Sequence, residues 1–133
     1  MAAILVPVLV LIGWTFVMWL WMYATRIPAM GQAKIDAAKI KHKQDLDILP
    51  TGARQVADNY NHLHEQPTVF YALAFLSHLT PGAAHEVQVM FAWAYVGLRI
   101  AHSLWQATVN YVPLRFVLFS LCTLVLMGMA LHL

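Results

Sequence analysis

The chain has 133 residues, enough for one domain, of which 61% are hydrophobic and only 11% charged. A mean hydropathy of +0.64 leaves too little polar surface for a soluble domain of this size. The net charge of +2 gives no reason to expect nucleic acid as a partner, and the single cysteine, Cys122, excludes an intramolecular disulfide.

Residues 2–25, AAILVPVLVLIGWTFVMWLWMYAT, carry no charge and exceed the roughly 20 residues that cross a bilayer core as a helix. A cleaved signal peptide needs a basic start and a short apolar region. Neither is present, so 2–25 reads as the first span. The lysine-rich segment 27–52 follows, either as a short surface helix over QAKIDAAKIKHK or as an ordinary solvated loop. The apolar run from Pro67 to Thr80 is too short to span alone and borrows the polar turn before it, giving a second span over about 60–79. There TGARQVADNYNH continues the same helix outward, with Pro67 inside it as a kink. Third and fourth spans cover about 87–105 and 112–132. The fold class that follows is an all-α integral membrane protein of four crossing helices, one domain over 1–133, with no internal repeat and no low-complexity tract.

Charge orients the spans. Arg26, Lys34, Lys39, Lys41, Lys43 and Arg54 belong to the first loop, and Arg99 and Arg115 flank the third. The second loop, SHLTPGAAHE, has no lysine or arginine. Loops one and three are therefore expected on the cytoplasmic side, with both termini outside.

Helical spacing gathers the polar residues into stripes. Arg54, Asp58, Asn61, His62 and Glu65 share one face of the second helix, and Tyr95, Arg99, His102 and Gln106 share one face of the third. Ionisable groups inside a membrane are costly and face a partner or a wet cavity, so the two stripes are expected to face each other. Glu65, Arg99, His102 and Arg115 should then lie at similar depth. Arg115 sits in the first turn of the fourth helix, where the helix dipole disfavours a cation. It is either a snorkelling anchor or the partner of an anion, which would be Glu65 or a ligand's carboxylate, thiolate or phosphate.

The same residue types can serve other chemistry. A metal held by His62, His64 and Glu65 is disfavoured because His62 and His64 point to different helix faces and no HExxH pattern occurs; no metal is expected. A nucleophilic triad is set aside, since Ser103 and His102 are adjacent and diverge on a helix. A haem between His62 and His102 stays open. Trp14, Trp19, Trp21, Trp93 and Trp105 read as interfacial belts and packing.

The segments NYNHLHEQPTVFYALAF and AWAYVGLRIAHSLWQATVNYVPLRF resemble the MAPEG family, membrane-associated proteins in eicosanoid and glutathione metabolism. The signals are Glu65, Pro67 and Tyr71 as E-x-P-x-x-x-Y, then Arg99, His102 and Ser103 as R-x-x-H-[ST], then Arg115. The resemblance is closest over about 54–119 and looks like a bacterial branch. It implies a left-handed four-helix bundle assembling as a homotrimer in a bacterial inner membrane. It also implies glutathione bound between subunits at the cytoplasmic end, with a lipophilic second substrate arriving from the bilayer lipids. In that scheme Arg115 stabilises the thiolate as the catalytic residue, and Glu65 and Arg99 hold the polar ends of glutathione. The polar stripes add His62, Asn61, His102, Gln106 and Tyr95 to the candidate binding set. Asp58 and Asn61 stand where glutathione-using members commonly carry arginine, and Gln106 replaces a usual tyrosine.

Two functions follow from these readings. One is a trimeric transferase or peroxidase that activates a thiol, which a lone Arg115 facing an open cavity would favour. The other is a noncatalytic lipid-binding or accessory protein. Its stripes would close into a network of Glu65 with Arg99, Asp58 with Arg54, and His62 as a bridge.

Overall fold

The computed structural model describes residues 1–133 as five α-helices and no strand. Helix α1 spans Leu5–Gln32, α2 Thr51–His62, α3 Gln66–Leu79, α4 His85–Ala107 and α5 Val112–Leu131. At 1.5 Å per residue the 28 residues of α1 are about 42 Å long, so this helix outruns the apolar segment and carries Arg26 past its end. Pro7 lies in the first turn of α1, where a missing N–H loses no intrahelical bond. By length and composition, α1 and α5 are long and apolar enough to cross a membrane.

The connection after α1 is shorter than the expected 27–52. It holds two 3-10 turns, Ala37–Lys39 and Lys43–Leu46, and no α-helix over QAKIDAAKIKHK. Its acidic side chains bond locally. Asp36 accepts from the Ala38 N–H at 3.0 Å, and Asp45 accepts from the Lys41 and His42 N–H groups at 3.1 Å each. Such bonds offer the backbone an alternative to the helical ladder.

The second span differs from the kinked continuous helix expected on sequence. The chain leaves α2 at His62, turns through residues 63–65 and restarts as α3, with Pro67 in its first turn. Proline cannot donate to the carbonyl four residues back and clashes with it, whereas the first turn tolerates both defects. Single i→i+3 bonds carry the turn, from His64 N to the Asn61 carbonyl at 3.0 Å and from Glu65 N to that of His62 at 3.2 Å. The stripe from Arg54 to Glu65 is thereby divided between a helix and a cap.

Helix α4 is the axis of the bundle, packing against α1, α2, α3 and α5. Its buried face runs Gln88, Ala92, Tyr95, Arg99, His102 and Gln106 at steps of three and four, with Val96 and Ser103 beside them. Leu11 and Met18 of α1, Phe70 and Ala74 of α3, and Cys122 and Met129 of α5 close around it. The outer surface is the reverse of a soluble protein's. Phe16, Leu20, Phe116, Leu124 and Met127 are exposed while Asn59, Gln88, Arg99, His102 and Gln106 are buried. Polar groups hide inside an apolar envelope only where the solvent is itself apolar.

Candidate functional site

Three elements converge on one cavity of about 220 Å³ beside the α4–α5 turn. It is lined by His62 at the end of α2, His102 on α4, and Val112, Arg115, Phe116 and Phe119 on the first two turns of α5. Pro113 lies in the first turn of α5 and helps fix where the helix begins. Before it, Asn110 takes a left-handed conformation at φ 54°, which asparagine tolerates better than most residues. The Asn110 N–H donates to the Trp105 carbonyl at 2.7 Å, closing the turn. Arg115 Nη1 then donates to Asn110 Oδ1 at 2.8 Å.

No carboxylate lines this cavity. The chain's one ion pair, Arg54 with Asp47 at 3.7 Å, is exposed and lies elsewhere. The closed network of Glu65 with Arg99 and Asp58 with Arg54 is therefore not formed. Arg115 keeps a neutral partner and presents an uncompensated cation beside two imidazoles.

The other residues of the expected set are placed differently. Arg99 is wholly buried, and its Nε, Nη1 and Nη2 have no hydrogen-bond partner. It lies on α4 one turn before His102 and does not line the cavity. Glu65 is exposed at the cap of α3, so the two stripes do not meet through it. Asn61 is half-buried. Gln106 is buried with no partner for Oε1. Tyr95 stacks on Phe70 with ring centroids 4.6 Å apart and reaches Gln66 Oε1 at 3.4 Å, a long contact. His64 donates from Nδ1 to the Tyr60 carbonyl at 3.0 Å on the exposed side, apart from His62. The site therefore gathers His62, His102 and Arg115, with Arg99 in the core behind them.

A polar junction not expected on sequence supports this end of α4. Ser103 Oγ accepts from Asn59 Nδ2 at 2.6 Å and from Trp14 Nε1 at 2.9 Å, tying α1, α2 and α4 at one level. Of the expected belt and packing roles, Trp14 takes the packing one. Asn59 carried a readable signal, because it lies between Val56 and Leu63 on the buried face of α2, a polar residue at an apolar register. Gln55 Nε2 adds a second tie, donating to the carbonyls of Ala107 and Thr108 at 3.1 and 2.7 Å. These are among the carbonyls that a helix end leaves unpaired.

Phe119 also lines a second, apolar groove of about 480 Å³ between α3 and α5, with Val69, Leu73, Leu126 and Met127. At the polar end of this groove Gln66 Nε2 donates to Thr123 Oγ1 at 2.8 Å. A cationic cavity and an apolar groove thus share one wall. The sequence pattern of the MAPEG family matches residues 4–133, essentially the whole chain. No match is found among curated proteins or among solved structures.

Proposed function

The chain belongs to the MAPEG family and is a membrane protein of that family; from this premise we propose that it is a glutathione-dependent transferase or peroxidase-like enzyme acting on lipophilic electrophiles. The observation that carries the proposal is Arg115, a cation with only a neutral partner, facing a cavity that holds no carboxylate. A thiolate is the nucleophilic form of a thiol, and an adjacent guanidinium favours its formation. The thiol of glutathione loses its proton to water at the cavity mouth. The thiolate then attacks an electrophilic carbon, forming a C–S bond as the leaving group departs with its electron pair.

At about 220 Å³ the cavity is smaller than the roughly 300–1,000 Å³ that encloses a typical ligand. In this reading it receives the cysteinyl end, and a neighbouring chain supplies the remaining wall, which is the reason to propose a homotrimer. His62 and His102 position the peptide at the cavity. Glu65 is exposed and Asn61 half-buried, and both would meet the peptide across the subunit boundary. Arg99, Tyr95 and Gln106 act from behind, through the packing of α4. The electrophile approaches from the surrounding lipid along the groove that ends at Phe119. The compartment proposed is a bacterial inner membrane, with both termini outside the cytoplasm.

The test is glutathione binding to the detergent-purified protein, followed by calorimetry and by ultraviolet absorption of the thiolate, beside Arg115→Ala. Loss of one preorganised charge stabiliser predicts a fall of about 10²-fold or more in turnover, with the thiolate signal gone. Absence of binding to the wild-type protein at millimolar glutathione would overturn the proposal.

A further inference from the structure

We propose a second site, where the far end of α1 meets the start of α2, that holds the phosphate of a membrane phospholipid. A cavity of about 40 Å³ lies there, lined by Arg26, Lys43, Arg54, Asp47 and Asp58 over an apolar floor that includes Leu49. It shares no residue with the cavity of His62, His102 and Arg115 and does not depend on the thiol chemistry. Three cations and two carboxylates leave one positive charge in excess, matching the single negative charge of a phosphodiester.

The groups are not already satisfied by one another. Arg54 meets Asp47 at 3.7 Å, in a pair whose side chains are largely exposed, the class of contact that contributes least. Arg26 Nε is buried and has no hydrogen-bond partner. Guanidinium groups bind phosphate through paired N–H donors, and a lysine adds a point charge.

Position identifies the source of the phosphate. Arg26 is the first charge after the uncharged run 2–25, so it stands where hydrocarbon gives way to headgroups. Trp19 and Tyr23, with ring centroids 4.8 Å apart, lie one to two turns before it, as aromatic residues do at that level. Phe16, Leu20, Tyr23 and Ile27 are exposed at steps of four, three and four, forming an apolar stripe along α1 that passes beside Arg26. An acyl chain laid on this stripe brings its headgroup to the cavity, which a free phosphate ion has no means to exploit. The small volume fits a phosphate group and leaves the rest of the headgroup outside.

The experiment is native mass spectrometry of the protein released from nanodiscs containing phosphatidylglycerol, with Arg26→Gln, Lys43→Gln and Arg26→Lys. Lys39→Gln serves as a control on the same loop, outside the cavity. One phospholipid per chain should survive detergent exchange in the wild type and in Lys39→Gln. Retention should fall about tenfold or more in Arg26→Gln, as expected for one lost charge-assisted hydrogen bond, and recover in part in Arg26→Lys. Lys43 is exposed on the loop, so Lys43→Gln gives a reading even if Arg26→Gln fails to fold. Retention equal to wild type in both glutamine variants would overturn the site. Displacement of the lipid by millimolar inorganic phosphate would overturn the lipid as its occupant.

Discussion

Arg115 and Asn110 form one unit, the guanidinium donating from Nη1 to Oδ1 at 2.8 Å across the turn that begins α5. Asn110 serves twice, since its backbone at φ 54° makes the turn and its side chain aims the cation. Asn110→Gly separates the two roles, because glycine adopts this conformation freely and lacks the acceptor. Thiolate formation should fall about tenfold, the cost of one charge-assisted hydrogen bond, with thermal stability near wild type. Asn110→Asp should suppress the thiolate further, because a carboxylate beside Arg115 cancels the charge proposed to favour it. Thiolate titration of the three proteins by ultraviolet absorption decides the matter.

Ser103 accepts two hydrogen bonds that fasten α1 and α2 to α4. Ser103→Ala leaves the Trp14 and Asn59 donors without their acceptor and should destabilise the chain by about 1–3 kcal/mol. Because Asn59→Ala removes part of the same junction, the double variant should depart from additivity by about 0.5–3 kcal/mol. Denaturant unfolding in detergent measures both quantities. Strict additivity would show that the junction does not act as a unit.

Arg99 is a buried cation with no hydrogen-bond partner and no ion pair. Burying a charge costs several kcal/mol, and apolar replacement of buried charges is often stabilising by about 1–4 kcal/mol. Arg99→Met is therefore expected to raise the unfolding midpoint of the ligand-free protein while weakening glutathione binding. A lowered midpoint would mean that Arg99 has a counter-charge, from Glu65 or from outside the chain.

Gly128 lets α5 approach α4, and a Cβ placed there would stand 3.0 Å from Cε1 and Cζ of Phe91. Alanine at this position gains about 1 kcal/mol of helix propensity, which offsets a small shift of the ring. Valine cannot be accommodated in the same way, and Gly128→Val should cost about 1–3 kcal/mol. Adding Phe91→Leu should recover part of that loss, measured by the same unfolding assay.

The kind of protein and most of its helices are legible in the residue pattern alone. Uncharged runs long enough to cross a bilayer marked the membrane character. The spacing of Tyr95, Arg99, His102 and Gln106 marked the buried polar face of α4, because one helix carries its own periodicity wherever it packs. Arg115 stood out for its place against the helix dipole, and the motifs at Glu65, Arg99 and His102 pointed to the family.

Which polar groups meet depends on how the helices pack. Glu65 turns outward because the proline two residues later ends one helix and starts the next, which rotates the cap away from the stripe. Trp14, Asn59 and Ser103 come together across separations of 89 and 44 residues. Such contacts depend on how helices rotate and slide against each other, and periodicity along a single helix does not encode that. Whether Arg115 meets a carboxylate or an open cavity was undetermined for the same reason. A charge is neutralised by what lies within a few ångströms, and that distance is set by packing.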